Sequence, residues 1–428
     1  MKIRQSAITD VGRKRDHNED FILSDPDLNL YIVCDGMGGH NAGEVASQMT
    51  AEGIVAYIKE NIQILEEYKT TPKTFQLNQL KELIKASINH ACKQVYEKSV
   101  NDSQCEGMGT TLVMSLVVNQ VAIIAHVGDS RAYLLRGKKE IQITEDHSFV
   151  NEMVKEGLLN REDAEKHPNA NIITRAVGMR EFAMPDIIAV ELTDNDQIIL
   201  CSDGLSGYLT QGELLKISSN VDFENLSAAL IQLANERGGK DNISVIILGH
   251  DHLSSPPSHP DKVSAEDKER VLHQIPLFRK LNFKELSRIL EITELKTFEP
   301  GEVLIKEKEK GENMYIIVRG TAKVENQGNH IADLGVGSFF GEMSLIDNRG
   351  RNATIIAEEK TTTLIIDRDP LLKLFKKDYK IGVKILWALI QNMNKRLRMS
   401  DEQIFELKKY FGNLDPESAE EIKNNFEN

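Results

Sequence analysis

The chain is short of thiols. Its four cysteines, Cys34, Cys92, Cys105 and Cys201, include no C-x-x-C pair, so neither a zinc ribbon nor a disulfide framework is signalled. Cys34 and Cys201 lie inside apolar runs, where a free thiol behaves as a small hydrophobe. No unbroken apolar run of about 18 residues occurs, and Met1 to Gly12 carries no apolar leader core. A membrane span and a secretory signal are therefore not expected. A basic excess is also missing: 52 Lys and Arg face 66 Asp and Glu, for a formal net charge of -14. Such a surface repels a phosphate backbone, which excludes sequence-independent nucleic-acid binding. The expected setting is the reduced cytoplasm, with no membrane or nucleic-acid partner.

What is present is enough chain for two or more cores, since 428 residues exceed the size of a single domain. The stretch His252 to Asp267 holds three prolines and four serines and suits a tether. Boundaries are placed at 1–252 for a first domain, 253–266 for the linker, 267–400 for a second domain and 401–428 for a helical tail. Before the tether, β-branched runs predict strands at Leu30–Cys34, Thr111–Val118, Val121–Val127, Ile198–Cys201 and Ile243–Leu248. Apolar spacings of three and four predict helices near Gly43–Asn61, Leu77–Ser99 and Asp222–Glu236. That mixture predicts an α+β layered core. After the tether come a helical stretch over Glu266–Glu291, short strands at Val303–Lys306, Met314–Arg319, Thr321–Glu325 and Thr362–Ile366, and a long helix from Ile381 to about Phe411. Along that helix Leu386, Ile390, Met393, Leu397, Ile404, Leu407 and Phe411 form a heptad seam broken at Ser400. The seam serves either packing on its own β-domain or a homodimer.

Acidic residues recur at the ends of the apolar strands of the first domain. Asp35 follows YIVC, Asp129 follows IIAHVG, Asp203 follows IILCS, and Asp241 precedes ISVIIL; Glu19 and Asp20 stand upstream in GRKRDHNED. A carboxylate beside glycine at a strand end can project into a shared cleft. Mg²⁺ and Mn²⁺ want such oxygen ligands, and a pair of them can clamp a phosphoryl group for in-line attack. Arg15 adds a planar cation suited to phosphate oxygens. Each Asp-Gly alone is more often a turn than a ligand; their recurrence in one domain is the signal.

The ordered motifs RDHNED, DGMGGH, GDSRAYLL, TEDHSFVNEMVKEGL, NIITRAVG, CSDGL and GGKDNIS resemble the metal-dependent Ser/Thr phosphatases of the 2C class, in their bacterial form. The resemblance covers residues 1 to about 250. It implies an αββα sandwich and a binuclear Mn²⁺ or Mg²⁺ site, with a third ion in some relatives. Asp35 then matches the bridging carboxylate, with the Gly36 carbonyl at the second metal and Asp203 and Asp241 at the first. Glu19 matches the acid that reaches the second metal through water, Asp20 its supporting partner, Asp129 with Asp203 the third site, and Arg15 the phosphate-binding arginine. The segment Ser148 to Arg175 resembles the flap beside the cleft. The implied reaction is direct hydrolysis of phosphoSer and phosphoThr proteins, with a Ser/Thr kinase and its substrates as candidate partners. Eukaryotic relatives carry a histidine directly after the DG pair. This chain has Met37 there and His40 three residues on, which serves either as general acid or as a hydrogen-bonding neighbour of the site.

In the second domain, FGE is followed nine residues later by Arg351. Read from its residues, this is either a hairpin salt bridge or an anion cradle of backbone N–H groups with an arginine beside it. Over about 267–400 the chain resembles cyclic-nucleotide-binding domains of the catabolite activator and protein kinase A regulatory type, a β-roll flanked by helices. Glu342 matches the ribose 2′-hydroxyl ligand, Arg351 the cyclic-phosphate arginine, and Gly341, Met343 and Ser344 the cradle, with Asn352 and Ala353 beside them. Gly350 replaces a common proline, and Asn352 stands where Ala commonly accompanies cAMP and Thr cGMP, so the resemblance implies cAMP or cGMP without choosing. No helix-turn-helix follows. The expected whole is a phosphatase regulated by cyclic nucleotide; the alternative is a phosphatase whose second domain binds no ligand and only dimerises or targets it.

Overall fold

The computed structural model describes residues 3–38, 42–165, 167–250, 263–346 and 350–412. Two compact units divide the chain, Met1–Glu266 and Asp267–Asn428.

In the first unit, two antiparallel sheets lie face to face between helices. One sheet orders its strands Ile3–Asp10, Ile243–His250, Gln197–Cys201, Arg131–Arg136 and Lys139–Gln142. The other orders Asp20–Asp25, Leu30–Met37, Leu112–Val118, Val121–Val127 and Asp186–Glu191, with Gly109–Thr110 paired to the second of these. Leu112–Val118 is buried along its whole length, because a helix layer covers one face and the partner sheet the other. The helices Ala42–Glu60 and Thr74–Asn101 close the outer face of this sheet over a core of Leu30, Ile32, Cys34, Ile54, Ile84 and Met114. Phe223–Glu236 closes the other over Ile199, Cys201, Leu230, Val245 and Ile247. This is the predicted αββα arrangement. Strand Leu30–Met37 extends its predicted run past Cys34, since the ladder outlasts the apolar pattern where an acid enters it, whereas Leu112–Val118 and Val121–Val127 stay within theirs.

All four cysteines are free and buried. Burial pushes the Cys201 thiol up to about 12 and Cys34 higher still, so neither is a nucleophile at neutral pH. Among the described residues no helix is long and apolar enough to cross a membrane.

The second unit is a β-roll. Thr293–Phe298, Thr361–Asp367, Asn313–Arg319 and Phe339–Phe340 form one sheet, and Val303–Ile305, Thr354–Ala357, Ala322–Asn326 and Asn329–Leu334 the other. Phe298, Leu304, Ile317, Phe340 and Ile355 fill the space between. The single helical stretch expected over Glu266–Glu291 is two helices, Ala265–Gln274 and Phe283–Leu290. The second starts anew because Asn282 and Glu285 form a reciprocal capping box there. In the closing helix, Tyr379–Gly412, the buried residues are Ile381, Ile385, Ala388 and Leu389. The heptad seam faces outward instead, with Leu386, Ile390, Met393, Leu397, Ile404 and Leu407 all exposed.

Candidate active site and nucleotide cassette

Strand alternation aims the central acid of the first unit. Leu30, Ile32 and Cys34 point into the core beneath the helices, so Asp35, one residue on, faces the space between the sheets. Asp20 stands directly opposite it in the antiparallel register, which places two carboxylates on one face as immediate neighbours. Like charges so placed repel. Thr111 holds this arrangement from both sides. Its N–H donates to the Asp35 carbonyl at 2.9 Å, and its Oγ1 accepts the Asp35 N–H at 3.1 Å. Gly36 is required by close approach: a Cβ there would lie 2.2 Å from the Gly43 carbonyl oxygen and 2.5 Å from that of Glu19.

The remaining acids arrive from other strand ends. Asp203 opens the short helix Asp203–Ser206, just after strand Gln197–Cys201. The preceding Ser202 donates to Asp20 Oδ2 at 2.8 Å and accepts the Ser244 N–H at 3.0 Å. Asp241 precedes Ile243–His250 and pairs with Arg15 at 2.7 Å, on half-exposed side chains. Asn242 pins the loop carrying Arg15 and Glu19. Its Nδ2 donates to the carbonyls of Val11 and His17, and its Oδ1 accepts the Glu19 N–H at 2.9 Å. Asp129 follows Gly128, whose φ of 102° lies where L side chains are rare.

The electrostatics of this cluster are unbalanced. Burial first, then repulsion from Asp203 and Asp241, raises the Asp20 carboxyl to about 7. Burial and Asp203 likewise raise Asp129 to about 7. Asp35 is driven well above the ordinary range by burial and by Asp20, Asp203, Asp129 and Asp241, and Asp203 rises by burial and Asp241. Glu19 is raised by burial, against the pull of Arg15. Asp20 Oδ1 is buried with no hydrogen-bond partner. A concentration of buried oxygens that Arg15 and Arg131 offset only in part asks for positive charge.

The cassette of the second unit has the opposite sign. Gly341, at φ 76°, turns the chain into the short helix Glu342–Leu345; a Cβ there would lie 2.5 Å from Arg351 Nη1. Arg351 is 7% exposed, and its Nη1 donates to Ser344 Oγ at 2.5 Å and Gly341 O at 3.3 Å, its Nη2 to Asn313 O at 2.9 Å. Among the described residues no carboxylate lies within ion-pair distance of it, and burial pulls its pKa below the ordinary arginine value. Glu342, 5% exposed, is paired with Arg396. Met343 is exposed and Asn352 Nδ2 lies 3.9 Å from its sulfur; the Asn352 carbonyl accepts from Asn326, and Ala353 is half-buried.

Comparison with known proteins decides the lineage of the first unit. The family model described as Protein phosphatase 2C matches residues 8–243, more than half of the chain. The chain belongs to the protein phosphatase 2C family. It is a Ser/Thr protein phosphatase of the bacterial type, in a class of metal-dependent hydrolases. The protein phosphatase PhpP of Streptococcus pneumoniae is 35% identical over 248 residues, 57% of this chain and 96% of that one. The serine/threonine phosphatase stp of Listeria monocytogenes is 36% identical over 248 residues, 57% of this chain and 94% of its own. The crystal structure of the Mycobacterium tuberculosis phosphatase PstP/Ppp superposes with a TM-score of 0.51 at 31% identity, covering 59% of this chain and all of that one. A second family model, the cyclic nucleotide-binding domain, matches residues 295–378.

Within this phosphatase 2C unit, several residues that position the acids went unassigned in the sequence: Thr111, Ser202, Ser244 and Asn242. Their signal was present, since Thr111 heads an apolar strand and Asn242 sits inside GGKDNIS, but short hydroxyls and amides reveal a role only through a partner distant in sequence. A further cluster joins His126, His147 and Asp186. The two rings stack at 4.6 Å, His147 Nδ1 accepts the Gly128 N–H, and Arg175 Nη1 lies 3.2 Å from His147 Nε2. That occupied Nδ1 and the adjacent guanidinium disfavour a cation there; the cluster instead braces the turn before Asp129. His40 lies outside the described residues.

Proposed function

We propose that the first unit hydrolyses phosphoSer and phosphoThr in proteins with two or three Mn²⁺ or Mg²⁺ ions held by Asp35, the Gly36 carbonyl, Asp203, Asp241, Asp129 and Glu19, with Asp20 supporting them. The observation that carries this is the convergence of buried, mutually repelling carboxylates around the orphaned oxygen of Asp20. An all-oxygen donor set with no imidazole or thiolate fits hard divalent cations. When bound, such ions neutralise phosphoryl oxygens and acidify water.

The protein's own groups do the rest. Asp35 and Asp20, fixed by strand register, hold their carboxyl oxygens at the cleft floor whether or not substrate is present. Arg15, anchored by one N–H on Asp241, offers its planar fork to the phosphate at the half-exposed mouth. Thr111, Ser202 and Asn242 restrain the acids so that little reorganisation accompanies the reaction. His40 is the candidate proton donor to the leaving alkoxide; in His40→Ala, a loss confined to phosphoseryl substrates, sparing phenyl phosphates, supports that role. A phosphopeptide assay in Mn²⁺ tests the reading: Asp241→Asn is expected to be inactive, and near-normal turnover by it removes the assignment.

The second unit, in the same proposal, binds cAMP or cGMP through Glu342, Arg351 and the turn Gly341–Ser344, with Met343, Asn352 and Ala353 against the base, and thereby regulates the phosphatase. A buried guanidinium satisfied by carbonyls and a hydroxyl, with no acid paired to it among the described residues, suits a cyclic phosphate. Identical phosphatase kinetics with and without either nucleotide would remove the regulatory part. The exposed seam of the closing helix favours a homodimer as well. Ile390 and Ile404 at one seam position and Leu386 and Leu407 at the other follow the β-branched-and-leucine preference of a two-stranded seam, interrupted at Met393, Leu397 and Ser400. Sedimentation of the full chain checks it. A cytoplasmic setting and a kinase partner fit the same reading.

A further inference from the structure

Glu342 already has a partner. Arg396 Nη1 lies 2.5 Å from its Oε1, with the carboxylate side chain 7% exposed and the arginine 55% exposed. Arg396 belongs to the closing helix Tyr379–Gly412, and its guanidinium also stands 5.9 Å from the centre of the Phe339 ring. A carboxylate as buried as Glu342 is costly to leave without a counter-charge. In this conformation the helix supplies that charge, and the arginine covers the approach to the acid.

We propose that Arg396 is a built-in competitor of the nucleotide's ribose: it ties the helix to the cassette through Glu342, and a 2′-hydroxyl donating to Glu342 displaces it. This rests on the nucleotide reading above and names how occupancy is passed on. The helix is anchored near its start by the buried Ile381, Ile385, Ala388 and Leu389, whereas most side chains from Ile390 onward are exposed. Arg396 is where this outer part reaches back to the cassette, so its release frees the segment carrying the heptad seam. Arg351 plays no part in the tie; its place in the exchange is to receive the phosphate while Glu342 changes partners. A ligand can move the helix only through its different affinity for tied and released states. The Arg396–Glu342 contact is where that difference arises.

The chain contains one tryptophan, Trp387, 58% exposed at the end of the anchored part of this helix, so its emission reports whether release of Arg396 is passed back along the helix. The experiment uses the full chain, wild type and Arg396→Ala, with cAMP, cGMP and 2′-deoxy-cAMP followed by calorimetry and Trp387 fluorescence. Removing a half-exposed ion pair that opposes the ligand is expected to tighten cAMP or cGMP binding roughly threefold to tenfold. Ligand-free Arg396→Ala is expected to emit like nucleotide-saturated wild type, with R396K intermediate. 2′-Deoxy-cAMP, lacking the hydroxyl, is expected to bind while moving Trp387 little. If wild type binds nucleotide and Arg396→Ala binds equally or more weakly, or if the deoxy analogue moves Trp387 as much as cAMP, the competition is overturned and the nucleotide reading stands. If neither protein binds any of the three, both fall.

Discussion

The two sites bury charge of opposite sign. The phosphatase unit gathers buried carboxylates whose ordinary ionisation is suppressed by desolvation and by one another. The cassette buries a guanidinium among carbonyl oxygens and a hydroxyl, with no acid paired to it among the described residues. A folded chain tolerates uncompensated charge at a cost recovered from packing elsewhere, and in each unit the missing counter-charge describes the ligand. The first calls for cations. The second calls for an anion. The difference in neighbours matters too: Asp35 and Asp20 are restrained by backbone, amide and hydroxyl contacts, whereas Glu342 is restrained by Arg396, a long side chain from the closing helix.

The sharpest way to break this contrast is to neutralise one acid in the cleft. Asp35→Asn or Asp241→Asn is expected to lower kcat for phosphopeptide by about 10³-fold or more, measured at saturating Mn²⁺. In the cassette the equivalent change is Arg351→Ala. Loss of charge-assisted hydrogen bonds to the phosphate is expected to weaken nucleotide binding by roughly 10- to 100-fold by calorimetry, with phosphatase activity without nucleotide retained. Arg15→Lys keeps the charge at the cleft mouth and removes the planar fork; kcat/KM is expected to fall about tenfold, mostly in KM.

A smaller effect concerns stability and pH. The Asp20 and Asp129 carboxyls sit near 7 in the folded protein against an ordinary 3.8. Their folded-state pKa is raised, so the folded state holds protons that the unfolded chain releases. Their contribution is therefore fully present below about pH 4 and is lost as pH rises through 7. Metal-free protein is expected to melt several degrees lower at about pH 8 than at about pH 5.5, and Mn²⁺ to stabilise it most at the higher pH. Scanning calorimetry at both pH values, with and without chelator, checks the sign. The smallest change is Thr111→Val, expected to cost about 1 kcal/mol through the lost acceptor for the Asp35 N–H.

Much of the fold was legible before the structure. Apolar β-branched runs marked the central strands because both faces of those strands are covered, and the helices announced themselves by their spacing. The split of the stretch after the tether was missed, since the Asn282 and Glu285 cap is a local hydrogen-bond exchange inside a pattern that otherwise reads as continuous. The acids of the cleft were named from motifs, but the cross-strand opposition of Asp20 and Asp35 depends on register. The seam of the closing helix was visible as a period, but not the face it takes: Ile385, Ala388 and Leu389 won the core and left the heptad outside.

Residue types and their order by themselves determined which chemistry is present: oxygen donors at strand ends and an arginine after a glycine-bounded turn. Tertiary structure alone decided which of those groups meet. Whether Asp20 Oδ1 is left without a partner, or Glu342 is claimed by Arg396, depends on atoms brought together from distant segments. Burial and proximity, which set the strength of every charge interaction here, are properties of the packed chain, and no local stretch of sequence carries them.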